Sequence, residues 1–200
     1  MADGQIHSVP IVAATSGFGQ ILDTMTLERA RRGDMTAYGA IYKQFGTACY
    51  NLALRVLGDP ATAEDVVQDV FMKLFGGLRG FRGDAPFGAW LKRLTVNATL
   101  DVVRAKKKFR DEDPESMLDA LAAPVADAQM QFDAWSLLMR LPVRARAILV
   151  LHEVEGYTHK ELSSLFGQSE SWSKSILSRA LKRLGGSASE AGEKEVSERG

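Results

Sequence analysis

Apolar residues recur at steps of three and four along most of the chain, and no stretch alternates apolar and polar residues with a period of two. A period near 3.6 puts such residues on one face of a helix, and each face needs a partner to be buried. The expected fold class is therefore all-α. Tyr38, Ile41, Tyr42, Phe45, Cys49, Leu52 and Val56 form one such face. Gly58-Asp59-Pro60 ends that helix and starts the next, because aspartate caps a helix N-terminus well and proline suits the first helical position. The second helix turns Val66, Val67, Val70, Phe71, Leu74, Phe75 and Leu78 inward and shows Glu64, Asp65, Gln68, Asp69 and Lys73 on its opposite face. A loop rich in glycine and charge follows, and Asp84 is placed to cap a third helix from about 85 to 108. Phe87, Trp90, Leu91, Leu94 and Ala98 line its apolar face, and Arg93, Asn97, Asp101, Arg104 and Lys108 its polar one.

Residues 111–130 carry two prolines, six acids, no Lys or Arg and weak periodicity, as expected of an acidic linker. A second helical unit spans about 131–185. Trp135, Leu137 and Leu138 precede Pro142, and Ile148, Leu149, Leu151 and Val154 continue to Gly156. Thr158-His159-Lys160-Glu161 reads as a capping box that opens a short helix. Gly167-Gln168-Ser169 makes a turn, and a helix rich in Ser, Lys and Arg runs to about Leu184. Two small helical domains, 25–110 and 131–185, are thus expected, with a flexible extension at 1–24 and a disordered polar tail at 186–200.

The net charge of zero conceals a strong asymmetry. Residues 27–110 hold 15 Lys/Arg against 8 Asp/Glu, and residues 131–184 hold 8 against 5, so basic units flank the acidic linker. Such a division suits contact with a polyanion, although solvated helix faces produce it too. A short helix, a glycine turn and a polar helix form the helix-turn-helix layout, which seats its second helix in the major groove. Ser171, Lys174, Ser175, Ser178, Arg179, Lys182 and Arg183 are the candidate donors to phosphates and base edges. The alternative is a plain helical hairpin with a basic face. Phe81, Phe87 and Trp90 lie among Arg79, Arg82, Lys92, Arg93 and Arg104, a mixture suited to unstacked single strands. Phe87 and Trp90 sit on the apolar stripe, so Phe81 in the loop is the preferred base contact.

Cys49 is the single cysteine and falls on an apolar stripe, which fits a buried thiol in a reducing cytoplasm. His7, His152 and His159 lack zinc-ligand spacing, and no phosphate loop or nucleophile elbow is present. No enzyme activity, cofactor or membrane insertion is expected.

With these residues in view, the chain resembles the extracytoplasmic-function sigma factors, the minimal two-domain initiation factors of bacterial RNA polymerase. AEDVVQDVFMKLF and FRGDAPFGAWLKRLTVNATLDVVR carry the resemblance in the first unit, and LPVRARAILVLHEVEGYTHKELSSLFGQSESWSKSILSRALKRL in the second. The resemblance implies that the chain directs core RNA polymerase to promoter DNA in the cytoplasm under the control of an anti-sigma factor. It implies that Asp65, Gln68, Asp69 and Lys73 dock on polymerase. Phe81, Arg82, Asn97, Asp101 and Arg104 would handle the melted minus-ten strand, with an Asp101–Arg104 ion pair as a structural alternative. The second unit would read the minus-thirty-five duplex. Away from polymerase the two domains would pack on each other or on a regulator, hiding both DNA surfaces. A stand-alone helix-turn-helix regulator and a sigma-like decoy are the rival readings. In the second unit, Ser173 stands where the family has an apolar residue, and Ile176 where it has an arginine. Trp172 is expected to refill the core through a small rotation of the helix.

Overall fold

The computed structural model describes residues 17–108 and 134–197, and among them the chain is helical with no strand. The expected acidic linker, 111–130, lies outside the described residues. After a short 3₁₀ turn at Gly17–Gly19 come α1 (Thr24–Arg31), α2 (Met35–Leu57) and α3 (Pro60–Gly77). A second 3₁₀ turn at Leu78–Gly80 leads to α4 (Phe87–Lys108). The second unit comprises α5 (Ala134–Met139), α6 (Val143–Leu149) with a π-helical turn at Val150–Val154, α7 (His159–Phe166) and α8 (Glu170–Ser197).

Local chemistry sets these boundaries. Asp34 caps α2 by accepting from the Thr36 and Ala37 amides at 2.8 and 3.3 Å. Asp59 caps α3 through the Thr62 amide at 2.9 Å, with Pro60 at the first helical position as expected. The stripes of α2, α3 and α4 then meet in one core, where Ile41, Phe45, Cys49, Leu52, Val70, Leu74 and Leu91 are fully enclosed. Burial pushes the Cys49 thiol up to about 11, so it is a core residue and a poor nucleophile.

Four expectations change. Residues 17–22 are not a flexible extension. Phe18 is buried, and Gln20 and Gln44 exchange side-chain bonds with the Gln44 and Ile21 carbonyls at 3.2 and 3.0 Å. Gly88 makes this possible, since a Cβ there would fall on the Phe18 carbonyl. α4 begins at Phe87, because Asp84 bonds Arg82 instead of capping the helix. Tyr42 and Phe75, expected inward, are 55% and 53% exposed, because α2 and α3 carry apolar residues wider than the surface they share. α8 runs to Ser197, past the end near Leu184 expected from the sequence. No helix among the described residues is long and apolar enough to cross a membrane.

Candidate nucleic-acid interface

The helix-turn-helix is assembled by capping. Thr158 Oγ1 accepts from the Glu161 amide at 3.2 Å, and Glu161 accepts from the Thr158 amide at 2.8 Å. The Thr158 amide and hydroxyl, both donating to the Glu161 carboxylate, hold it below its usual range. Gly167, at φ +63°, ends α7 in the left-handed conformation that glycine adopts without strain. Leu162, Ile176 and Ala180 are buried, which fixes the angle of α8 against α7.

One face of α8 is left open. Ser171, Lys174, Ser175, Ser178, Arg179 and Lys182 are all exposed and follow one another at helical spacing, as the sequence predicts. Arg183, grouped with them from the sequence, is half-buried at the edge of that face. The unusual residues take inward roles. Ser173 remains at its core position, and its hydroxyl meets His159 Nδ1 at 3.1 Å. Ile176 is also core, so its replacement of an arginine removes nothing from the exposed face. Trp172 packs half-buried on Phe166, ring centroids 5.8 Å apart, beneath the Arg144 guanidinium. His159 stacks on His152 at 4.4 Å. Desolvation, then His152 and Lys174, lower its pKa.

In the first unit Arg82, Asn97, Asp101 and Arg104 are exposed, but the preferred base contact is not. The Phe81 ring is only 6% exposed, packed on Phe87 and Trp90 at 5.6 and 5.1 Å. Its carbonyl accepts from Arg31, whose guanidinium also lies over the ring. Loop position suggested exposure, but three aromatic rings in one short stretch bury each other first. Arg82 pairs with Asp84 at 3.1 Å, and Arg104 pairs with Asp101 at 2.7 Å, the structural alternative raised above.

Asp65, Gln68, Asp69 and Lys73 are exposed together on α3. Beside them a groove of about 1000 Å³ runs between α2 and α3, lined by Tyr38, Tyr42, Gln68, Phe71, Met72 and Phe75. Tyr38–Phe75 and Tyr42–Phe71 ring contacts, each 4.8 Å between centroids, pave it. Sequence reading missed this groove because it assigned Tyr42 and Phe75 to the core. Three adjacent apolar columns on α2 were the available signal.

The two units touch. Arg146 on α6 donates to the Val56 and Leu57 carbonyls at 2.7 and 3.0 Å. Lys92 on α4 donates to the Glu155 carbonyl at 2.9 Å and lies 3.6 Å from its carboxylate. Arg104 donates to the Leu165 carbonyl at 2.6 Å. The packing expected between the domains is present, but the α8 face is not hidden by it. Glu155 is buried, because the π-helical turn adds a residue and rotates it inward.

A helical unit with an exposed aromatic groove, joined to a helix-turn-helix with an open polar face, defines a DNA-binding protein with a docking partner. Comparison with known proteins makes the class specific. Residues 41–109 match the sigma-70 region 2 family and residues 132–184 the sigma-70 region 4 family. The ECF RNA polymerase sigma factor SigM of Mycobacterium tuberculosis is 32% identical over 156 residues, covering 76% of this chain and 77% of that protein. The ECF RNA polymerase sigma-E factor of Escherichia coli K12 is 25% identical over 165 residues, 73% of this chain and 83% of that protein. The solved structure of CnrH in complex with the cytosolic domain of CnrY is 25% identical with a TM-score of 0.47, covering 81% of this chain and 94% of that one. The chain belongs to the ECF sigma factors of RNA polymerase, and it directs RNA polymerase in transcription initiation. Its partners are core polymerase and promoter DNA. Sigma factors are in general regulators without enzymatic activity.

Proposed function

We propose the following division of labour on the promoter, with no chemical step catalysed by the chain. The α8 face of Ser171, Lys174, Ser175, Ser178, Arg179 and Lys182 reads the upstream duplex, with cations on phosphates fixing the register. Arg183 contributes from its edge. Arg82, Asn97, Asp101 and Arg104 engage the melted strand, and Phe81 supports that surface from beneath. Strand opening is then driven by preferential binding to the open form. Asp65, Gln68, Asp69 and Lys73, with the α2–α3 groove, dock on core polymerase, and an anti-sigma protein competes for the exposed surfaces.

The observation that carries this reading is the continuous open face of α8 behind a capped α7. The burial of Ser173 and Ile176 favours a working DNA reader over a decoy, because the unusual residues are not on the reading face. Run-off transcription with purified core polymerase and genomic promoter fragments tests it. New, protein-dependent start sites are expected. Core binding without any transcript would support the decoy, and neither core binding nor a transcript would leave the stand-alone regulator. Asp69→Ala should weaken core binding, and Lys174→Ala should lower the salt slope of duplex binding by about one.

A further inference from the structure

We propose that His159 is a further contact of the duplex reader, meeting a backbone phosphate beside Lys174 as an imidazolium, so that duplex binding takes up a proton and tightens as the pH falls. This role rests on the reading of α8 as the duplex-binding helix.

The position of the ring is the first support. His159 is the first residue of α7 and is half-buried. Its Nδ1 meets Ser173 Oγ at 3.1 Å, and the residue after Ser173 is the exposed Lys174. In a helix-turn-helix the first helix crosses the DNA backbone while the second enters the groove. The start of α7, set against the first turns of α8, is therefore where phosphates pass, and a helix N-terminus favours an anion there.

The hydrogen bonds of the ring are the second. Nδ1 is taken by Ser173, and Nε2 has no partner among the described residues, so it is left for a ligand. Ser173 suits both charge states, because its hydroxyl can donate to a neutral Nδ1 and accept from a protonated one. An apolar residue at this core position could do neither. His152 is fixed by the bond between its Nδ1 and the Tyr157 carbonyl, 2.7 Å, which holds the stacked pair in place.

The surrounding charges are the third. Partial desolvation, then stacked His152 and Lys174, hold the His159 pKa below 6.5 in the free protein, while Glu170 and Glu153 act in the opposite sense. Those four side chains face the ring from the π-helical turn and from α8. A phosphate reverses this balance. Its charge favours the imidazolium directly, and it neutralises Lys174, one of the groups that oppose the proton. Linkage is reciprocal, so a group that gains a proton on binding makes binding tighter as protons are supplied. The gain sets in as the pH falls through the raised pKa of the complex and is complete below the lowered pKa of the free protein.

The test follows the histidine Cε1–H signals of the full-length protein by NMR, alone and with a mixed-sequence DNA duplex at low salt. His159→Asn assigns the signal. The His159 titration should move to higher pH when the duplex is added. Fluorescence anisotropy with the same duplex should show wild-type affinity rising about fivefold between about pH 8 and about pH 6. The slope of log affinity against log salt should steepen by about one at the acid end, as one more cation meets a phosphate. His159→Asn should abolish the gain and the steepening, and Ser173→Ala should reduce both. Circular dichroism across the same pH range confirms that the variants remain folded. A His159 titration unmoved by bound duplex, or a His159→Asn variant with the wild-type pH profile, would overturn the proton-linked contact and leave the α8 reading intact. No binding of the duplex at any pH would overturn the α8 reading and this contact with it.

Discussion

The two domains present polar helix faces of similar kind but are built from helices of very different length. The first is built from α2, α3 and α4, of 23, 18 and 22 residues, whose stripes bury a continuous apolar core. The second rests on α5, α6 and α7, of six, seven and eight residues. Helices that short are marginal in isolation. They persist because Ile148, Leu149, Leu151, Leu162, Ile176 and Ala180 are buried in an apolar core that runs on from that of the first domain, with caps, a left-handed glycine and a π-helical turn setting their ends. Burial stabilises both domains, and in the second the caps and the left-handed glycine fix the ends of helices too short to hold themselves. A reader of duplex DNA needs one correctly angled helix, which a cap and a turn can set. The strand-handling and docking surfaces of the first domain spread over several helices and need a core to align them.

This contrast can be broken or sharpened by substitution. Phe45→Ala should have the largest effect, about 3–5 kcal/mol, because the ring is fully enclosed and packs on Phe87 at 5.4 Å. Urea unfolding followed by domain-specific probes should show the first domain lost at lower denaturant while the second keeps its helices. Simultaneous loss of both would mean that the interface makes them one cooperative unit. Gly88→Ala should cost about 1–3 kcal/mol by pushing away the Phe18 carbonyl, with protease cleavage near residues 17–22 appearing at the same time. Unchanged cleavage would place that segment outside the domain after all. Thr158→Ala should cost about 1 kcal/mol and act on the second domain alone, read as a shift in its thermal midpoint. The smallest effect concerns His159. Its folded pKa lies below the ordinary 6.5, so its neutral form favours folding. That stability is present above pH 6.5 and declines as pH falls through the lowered folded value. His159→Asn should flatten this part of the pH–midpoint curve, and an unaltered curve would assign the acid loss to other groups.

Much of the layout was legible from the residues. Period-3.6 stripes located α2, α3 and α4, Asp59-Pro60 marked a helix start, and the capping box with Gly167 placed the helix-turn-helix. These signals are local, so a neighbour ten residues away suffices to read them. The errors arose where position depends on distant partners. Phe18 appeared to lie in an extension because the room for it is made by Gly88, seventy residues on. Phe81 was taken as exposed because its loop is polar, whereas Phe87, Trp90 and Arg31 enclose it. The π-helical turn at Val150–Val154, which buries Glu155, has no local signal in the sequence.

The sequence by itself determined the helices, their caps, the division of charge and the polar face of α8, because periodicity and capping act within a few residues of the chain. Only the tertiary structure decided that Tyr42 and Phe75 line a groove, that Ser173 and Ile176 face inward, and that Arg146, Lys92 and Arg104 bridge the domains. Those outcomes depend on which surfaces meet, and carbonyls at a helix end carry no side-chain signature that would name their cation in advance.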